Sequence, residues 1–383
     1  MAISQTLFLA KATYHQTLLK WPSERLTLLA TSRSLLLTLL TVLALLAPAA
    51  AQSPFAPPPK PKPTFLRLLA FADYFDPAAL AEFERENGLQ IAYDAYDAPE
   101  SIVENLRDGP YDLVVLPGPV LRQQIAAGAL KKLDREQLPH VSAASASIAA
   151  KLSAYDPTAS YAIPYMWFAT GLLFDAERVQ KRLGAAPASW SAIFAPDQAR
   201  RLADCGIATP DNRDDLFMSA WRFLNANLAR LTAVDVKRAA DLLIRVKGGA
   251  RAFGVRDYVG ALANGSACIS PGRANDAALA MTRAKQGGRD ADIRFVVPKE
   301  GAPMALDALA IPWDAPHLTE SYALLDFLLR PDIAARNARA TGLSSGEDSG
   351  DAEILKRLFP VGVADSALEL LVEKEWARVR AAK

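Results

Sequence analysis

Residues 161–175, YAIPYMWFATGLLFD, join two apolar runs through a corner formed by Pro164, Tyr165 and Trp167. The stretch contains no acid–base pair and no thiol, so it offers no catalytic chemistry of its own. The pattern is typical of a strand that leaves one globular lobe and enters another, with its aromatic side chains at the seam. Ligand sites are common at such seams. The stretch therefore favours ligand binding over catalytic turnover.

Residue types that could support catalysis are scattered along the chain. The histidines, His15, His140 and His317, have neither the spacing of zinc ligands nor that of a histidine-based triad. Residues 342–346 spell G-x-S-x-G, the nucleophile-elbow pattern, but they follow a predicted helix and no histidine lies downstream. We therefore predict no enzyme activity, no metal site and no cofactor.

The elements of the first lobe are predicted to alternate between strands and helices. Continuous apolar runs predict buried strands at 66–71, 89–93 and 112–116. Asp76 and Gly88 are placed to begin and end a helix between the first two strands. Such an alternation predicts a parallel sheet that is covered on both faces, in which ligands bind beyond the carboxyl ends of the strands. Those ends are residues 71–74 and 117–119.

The second lobe is predicted to repeat this alternation. Its strands are expected at 205–209, 266–270, 293–298 and 305–312. The first of them leads to Asp214 and Asp215 at the start of a helix, and the second leads to residues 271–276. The last strand carries Asp307 and is expected to return the chain to the first lobe. Helical patterns follow at 321–329, 332–340 and 366–380.

Composition and the N-terminal residues indicate an exported globular protein. The 383 residues, 51% of them hydrophobic, suffice for two lobes, and the net charge of +1 gives no basic surface for nucleic acid. Arg25 and Arg33 precede a short apolar run and then the small residues 48–51, so we expect an N-terminal extension and signal peptide at 1–51. Residues 52–63, QSPFAPPPKPKP, predict a Pro/Lys linker.

The two cysteines of the chain, Cys205 and Cys268, are both in the predicted second lobe. Export permits a disulfide, and an even number of cysteines leaves no unpaired thiol. Two buried free thiols are the alternative.

Several segments occur in the order that is found in periplasmic polyamine-binding proteins. These segments are YDLVVLP, LKKLD, YAIPYMWFATGLLF, LANGSACI, VPKEGAPMALDALAIP and YALLDFLLRPD. Over residues 64–383 the chain resembles these putrescine- and spermidine-binding components of ABC importers, most of all the putrescine type. The resemblance implies two α/β lobes that close over a small amine, and a Cys205–Cys268 disulfide.

The resemblance also implies a binding site, which this chain matches in part. Asp276 and Asp307 match the two aspartates that bind ammonium groups in the family, and Asp73 and Tyr74 match an aspartate and a tyrosine of the site. Phe71 stands in place of a tryptophan. A shorter acid, Asp215, stands in place of a glutamate. Carboxylates spaced to the ammonium groups, and aromatic faces along the methylene chain, suit a polyamine.

The largest departure is Arg273, which stands where the family has a tryptophan, three residues before Asp276. Aromatic residues of the family are also missing near Asp307 and at Leu343. We therefore expect putrescine and spermidine to bind more weakly than in a member with the full aromatic set. Arg273 could pair with Asp276 or Asp215, turn into solvent, or hold a carboxylate, which suits the geometry of a guanidinium.

We thus expect a two-lobe periplasmic-binding-protein fold, type II-like, with a ligand cleft between its lobes. The first lobe is predicted to comprise 64–164 plus 299–338, and the second 165–298 plus 339–383. The predicted function is to capture a small amine in the periplasm, as a monomer, and to deliver it to an inner-membrane ABC permease. The alternatives are a carrier of a zwitterionic amine or amino acid, whose carboxylate Arg273 binds, and a ligand-binding sensory module.

Overall fold

The structure is a computed structural model, which describes residues 65–97, 99–143, 146–345, 352–362 and 366–382. The predicted leader and linker at 1–63 lie outside these ranges. None of the helices in the described part is long and apolar enough to cross a membrane.

The chain alternates between strands and helices through most of its length. The strands are β1 Phe65–Phe71, β2 Gln90–Tyr96, β3 Leu113–Pro117, β4 Ala162–Asp175, β5 Ala208–Pro210, β6 Ala252–Val255, β7 Ile269–Arg273, β8 Ile293–Val296, β9 Ala302–Ala310, β10 Ser344–Ser345 and β11 Leu358–Pro360. The helices are α1 Pro77–Asn87, α2 Pro99–Asn105, α3 Gly118–Ala126, α4 Ala146–Leu152, α5 Ala176–Leu183, α6 Ser191–Phe194, α7 Pro196–Leu202, α8 Arg213–Phe223, α9 Ala233–Gly249, α10 Tyr258–Ala263, α11 Asp276–Gln286, α12 Leu318–Leu329, α13 Pro331–Thr341, α14 Ala352–Arg357 and α15 Ser366–Ala381.

Strand β4 crosses from one lobe to the other, as the sequence predicted. Its first part, from Ala162 to Ala169, pairs antiparallel with β9. Its second part, from Thr170 to Asp175, pairs antiparallel with β7 and β8 instead. One unbroken strand therefore takes part in the sheets of both lobes.

The sheet of the first lobe has the order β10-β4-β9-β3-β1-β2. Strands β1, β2 and β3 are parallel, as predicted. The prediction of a wholly parallel sheet is wrong, because β9 lies antiparallel to both β3 and β4. Strand β9 brings the chain back from the second lobe, so it enters the sheet from the opposite end.

The turn between β1 and α1 is fixed by local signals in the sequence. The Asp76 side chain accepts a hydrogen bond from the Ala78 N–H at the helix start, and Pro77 occupies the first turn. Gly88 ends the helix in the left-handed conformation, with φ of 64°. These caps, which the sequence predicted, place Asp73 and Tyr74 directly at the carboxyl end of β1.

The second lobe has a core of its own, which the disulfide supports. Trp190 and buried residues from α6 to α9, among them Phe217, pack there with Trp376 of α15. Cys205 and Cys268 form the predicted disulfide, with their Cα atoms 5.5 Å apart. The strands beside the cysteines lie a few residues later than predicted, as β5 and β7.

The end of the chain contributes to both lobes. Leu355 and Leu358 pack in the core of the first lobe with Val297 and Met304, and β11 pairs with β9. Helix α15 then packs in the core of the second lobe. The residues 339–383, which we expected in the second lobe, are therefore shared between the two.

We predict that replacing both cysteines by serine destabilises the protein by roughly 4 kcal/mol in the chain-entropy model of disulfides. The physical reason is that the bond closes a loop with a sequence separation of 63 residues in the unfolded chain. Urea unfolding of oxidised wild type and of Cys205→Ser/Cys268→Ser measures the difference. Wild type unfolded under reducing conditions is the control, and it should match the variant; equal stability of the oxidised wild type and the variant would contradict the prediction.

Candidate functional site

The predicted site residues come from elements that meet near the seam. Phe71 ends β1, and Asp73 and Tyr74 follow it before α1. The remaining residues are Asp215 in the first turn of α8, Arg273 at the end of β7, Asp276 at the start of α11 and Asp307 within β9.

Asp307 is a buried carboxylate of the first lobe, with only 4% of its surface exposed. The Tyr74 hydroxyl donates a hydrogen bond to Asp307 Oδ2 over 2.7 Å. Within the described residues, Asp307 Oδ1 accepts no hydrogen bond. Burial raises the pKa of Asp307 to about 6, although the Tyr74 hydrogen bond and the charge of Arg273 oppose the shift. The carboxyl group thus has one oxygen left for a further partner.

Asp215 is the corresponding carboxylate of the second lobe. Its Oδ2 accepts hydrogen bonds from the Thr170 hydroxyl at 2.8 Å and from the Asn212 amide at 2.9 Å. Asp215 Oδ1 accepts none from the residues that the structure describes. Burial again raises the pKa to about 6, against the opposing effects of Thr170 and of the Arg273 charge.

The positive charge of Arg273 acts on both of these carboxyl groups. Its positive charge lowers the pKa of both Asp215 and Asp307, so its guanidinium is within electrostatic range of a carboxylate from each lobe. The guanidinium carbon lies 4.3 Å from the centre of the Phe168 ring, which is a cation–π contact. Over the described ranges, the guanidinium makes no hydrogen bond and no ion pair.

Asp276 is held at the N-terminus of α11, beside Arg273. The Tyr258 hydroxyl donates to Asp276 Oδ2. The backbone N–H of Arg273 donates to the same oxygen over 3.2 Å. Asp276 is therefore tied to the Arg273 backbone, and its carboxylate does not form an ion pair with the guanidinium.

Phe71 and Asp73 lie on the first-lobe side of the site. The Phe71 ring packs against Tyr74, with centroids 5.7 Å apart, and against Tyr96 at 4.3 Å. Asp73 is exposed in a left-handed backbone conformation, with φ of 54°. Within the described chain, Asp73 forms no hydrogen bond or ion pair with the other predicted residues. The structure thus connects Phe71, Tyr74 and Asp307 directly, and leaves Asp73 apart from them.

Sequence reasoning missed the residues that support the charged groups: Phe168, Thr170, Asn212 and Tyr258. Side chains alternate between the two faces of a strand, so Phe168 and Thr170 share one face of β4, the face on which Arg273 lies. Trp167, which we expected at the seam, points the other way, and its Nε1 donates to the Ser345 carbonyl over 3.0 Å. The alternation within 161–175 was therefore the signal that could have identified Phe168 and Thr170.

The arrangement is suited to binding a positively charged group. Two buried carboxyl groups each have an oxygen that accepts no hydrogen bond from the described residues, and a cation near them would favour their ionised forms. Burial keeps the pKa of Tyr74 well above its usual value, so this hydroxyl remains a hydrogen-bond donor at neutral pH. Among the described residues, no group of three or more His, Cys, Asp or Glu side chains is placed to hold a metal ion.

Comparison with known proteins decides the family. The family model described as bacterial extracellular solute-binding protein matches residues 78–349. The chain belongs to this family. The putrescine/agmatine-binding protein of Pseudomonas aeruginosa is a relative of this solute-binding protein, with 31% identity over 83% of this chain and 92% of its own length. The putrescine-binding periplasmic protein PotF of Escherichia coli, also 31% identical, covers the same shares of the two chains.

Solved structures agree with the two-lobe fold of this solute-binding protein. The spermidine/putrescine substrate-binding protein PotD of Streptococcus pneumoniae aligns with a TM-score of 0.71 at 18% identity, over 83% of this chain and 98% of that one. The Tp0655 lipoprotein of Treponema pallidum aligns with a TM-score of 0.69 at 22% identity, over 82% and 99%. The predicted fold class is confirmed.

We predict that Asp307→Asn stabilises the ligand-free solute-binding protein by about 1–3 kcal/mol at pH 7.5. With a folded pKa of about 6, the ionised carboxylate costs more free energy in the folded chain than in the unfolded chain, and asparagine removes this cost while still accepting from Tyr74. The gain is complete above pH 6 and shrinks as the pH falls towards 4, since Asp307 is then protonated in the folded protein.

Urea unfolding at several pH values measures this effect. The matched control is Asp292→Asn, which removes an exposed aspartate that pairs with Arg294, and its stability should not show the same rise. Equal stability of wild type and Asp307→Asn at pH 7.5 would show that the buried carboxylate carries no ionisation cost.

Proposed function

We propose that this protein is the periplasmic solute-binding component of a polyamine-type ABC importer, and that it captures a small amine between its lobes. The observation that carries the proposal is the pair of buried aspartates, Asp215 and Asp307, each with an oxygen that accepts no hydrogen bond within the described residues. Relatives named as putrescine-binding proteins, at 31% identity over most of the chain, support it.

The ammonium group of the ligand is proposed to pair with Asp307 and Asp215. Charge-assisted hydrogen bonds of this kind contribute roughly 1.5–3 kcal/mol each. Tyr74 holds Asp307 in place, and Thr170 and Asn212 hold Asp215. The ring of Phe71 is proposed to cover the apolar part of the ligand. Asp73 and Asp276 are proposed as further carboxylates at the edge of the cleft, which come nearer when the lobes close.

The proposal also includes the export of the protein, its oligomeric state and the delivery of its ligand. We propose export through a signal peptide at 1–51, a linker at 52–63, and a monomer that delivers its ligand to an inner-membrane permease. The expected lobe boundaries at 164/165 and 298/299 fall in β4 and in the connection between β8 and β9, and we propose to move the first of them to 169/170, where β4 changes partner. The segment 352–360 is assigned to the first lobe because Leu355 and Leu358 pack there.

We predict that small aliphatic amines bind at pH 7.5 and that their affinity falls in acid. Binding an ammonium group requires ionised carboxylates, and burial raises the pKa of Asp215 and of Asp307 to about 6. Each carboxylate that must lose its proton weakens binding by up to about tenfold per pH unit below that pKa. Calorimetry with putrescine, spermidine and butylamine between pH 7.5 and pH 5 measures the trend.

Variants test whether these carboxylates are responsible for amine binding. Asp307→Asn should weaken binding of these amines by about tenfold or more, whereas the exposed Asp292→Asn should leave it unchanged. If none of the amines binds wild type at pH 7.5, or if Asp307→Asn binds them as well as wild type does, the proposed function is wrong.

A further inference from the structure

Arg273 is a permanent cation beside a site that is built to bind cations. In a protein that binds only diamines, the guanidinium would repel a second ammonium group nearby. The side chain is exposed, yet it lies against the Phe168 ring and within electrostatic range of Asp215 and Asp307. Its position makes it a candidate to contact the ligand.

We propose that the ligand is zwitterionic: its ammonium group binds the aspartates, and its carboxylate binds the guanidinium of Arg273. The proposal rests on the proposed function, since it assumes that an amine enters this cleft, and it specifies the other end of that amine. The ligand class is an aliphatic amino acid with separated charges.

The geometry of the guanidinium supports this assignment. A guanidinium presents its N–H donors in a planar fork that matches a carboxylate. In Arg273 the guanidinium carbon lies 4.3 Å from the centre of the Phe168 ring. Its N–H donors bind no other residue in the described part of the chain. The ring contact thus helps to position the group, and the donors stay available.

The neighbouring carboxylates do not satisfy these donors. Asp276 is the nearest acid in sequence, but its Oδ2 accepts from Tyr258 and from the Arg273 backbone. Asp215 Oδ2 accepts from Thr170 and Asn212. Arg213, by contrast, pairs directly with Glu369 and Glu373. The unpaired fork of Arg273 is therefore available for an external anionic group.

Three probes of similar length separate the possible ligands. Butylamine carries one ammonium group, putrescine carries two, and 4-aminobutanoate carries an ammonium group and a carboxylate. We expect wild type to bind 4-aminobutanoate at least tenfold more tightly than either of the others, on the scale of one or two charge-assisted hydrogen bonds. Calorimetry at pH 7.5 gives the three dissociation constants.

Variants of Arg273 test the role of the guanidinium. Arg273→Gln should weaken 4-aminobutanoate binding by about 10–100-fold relative to butylamine binding. Arg273→Trp should do the same and also strengthen putrescine binding, since it restores an aromatic surface and removes the repulsion. Phe168→Leu should weaken 4-aminobutanoate alone. The matched control is Arg294→Gln, in β8, whose guanidinium pairs with Asp292; it should change none of the three constants.

The outcomes separate this inference from the proposed function. If wild type binds putrescine at least as tightly as 4-aminobutanoate, and Arg273→Gln changes neither, the inference is wrong and the proposed function stands. If Arg273→Gln strengthens putrescine binding and does not affect 4-aminobutanoate, Arg273 acts only as an internal counter-ion and the inference is again wrong. If wild type binds none of the three probes, both are wrong. The order of the three dissociation constants of wild type tests the inference even if an Arg273 variant does not fold.

Discussion

The fold depends on the hydrogen bonds that β4 makes with strands of both lobes. This strand pairs with β9 in the first lobe and with β7 and β8 in the second. The change of partner occurs between Ala169 and Thr170, directly beside the site. Gly171 lies just beyond this change, and a Cβ there would come within 2.4 Å of the Val296 carbonyl oxygen. The close approach of β8 therefore requires glycine, and the register of β4 fixes where Thr170 and Arg273 lie.

The two buried carboxyl groups, Asp215 and Asp307, lower the stability of the folded protein and suit the site to binding a cation. Each loses hydration on folding, which raises its pKa and disfavours its charge. The fold offsets part of the cost. Asp215 lies in the first turn of α8, where the positive end of the helix dipole favours a carboxylate, and Asp307 accepts from the Tyr74 hydroxyl. In the proposed function, a bound ammonium group would supply the remaining compensation, so the burial that destabilises the free protein would strengthen binding of the cation.

Much of the fold follows from local patterns, whereas the contacts of the site do not. The crossing strand, the caps at Asp76 and Gly88 and the disulfide pair could be predicted from the residues or from the family resemblance. The antiparallel direction of β9 could not, because it depends on how the chain returns from a distant lobe. Likewise, Arg273 meets Phe168 only through the register of β7 on β4. Pairing across a hundred residues of sequence leaves no local signal, so the sequence left three orientations of Arg273 open.

Within the described residues, two connections join the lobes: β4, and residues 297–301 between β8 and β9. They lie side by side, because β9 pairs with the first part of β4 directly after the second connection. In mechanical terms this is a leaf hinge. Bending changes a few backbone angles in each leaf, whereas a twist would strain the hydrogen bonds between β4 and β9. We therefore expect the lobes to move mainly by bending, which would bring Asp215 and Asp307 together or apart.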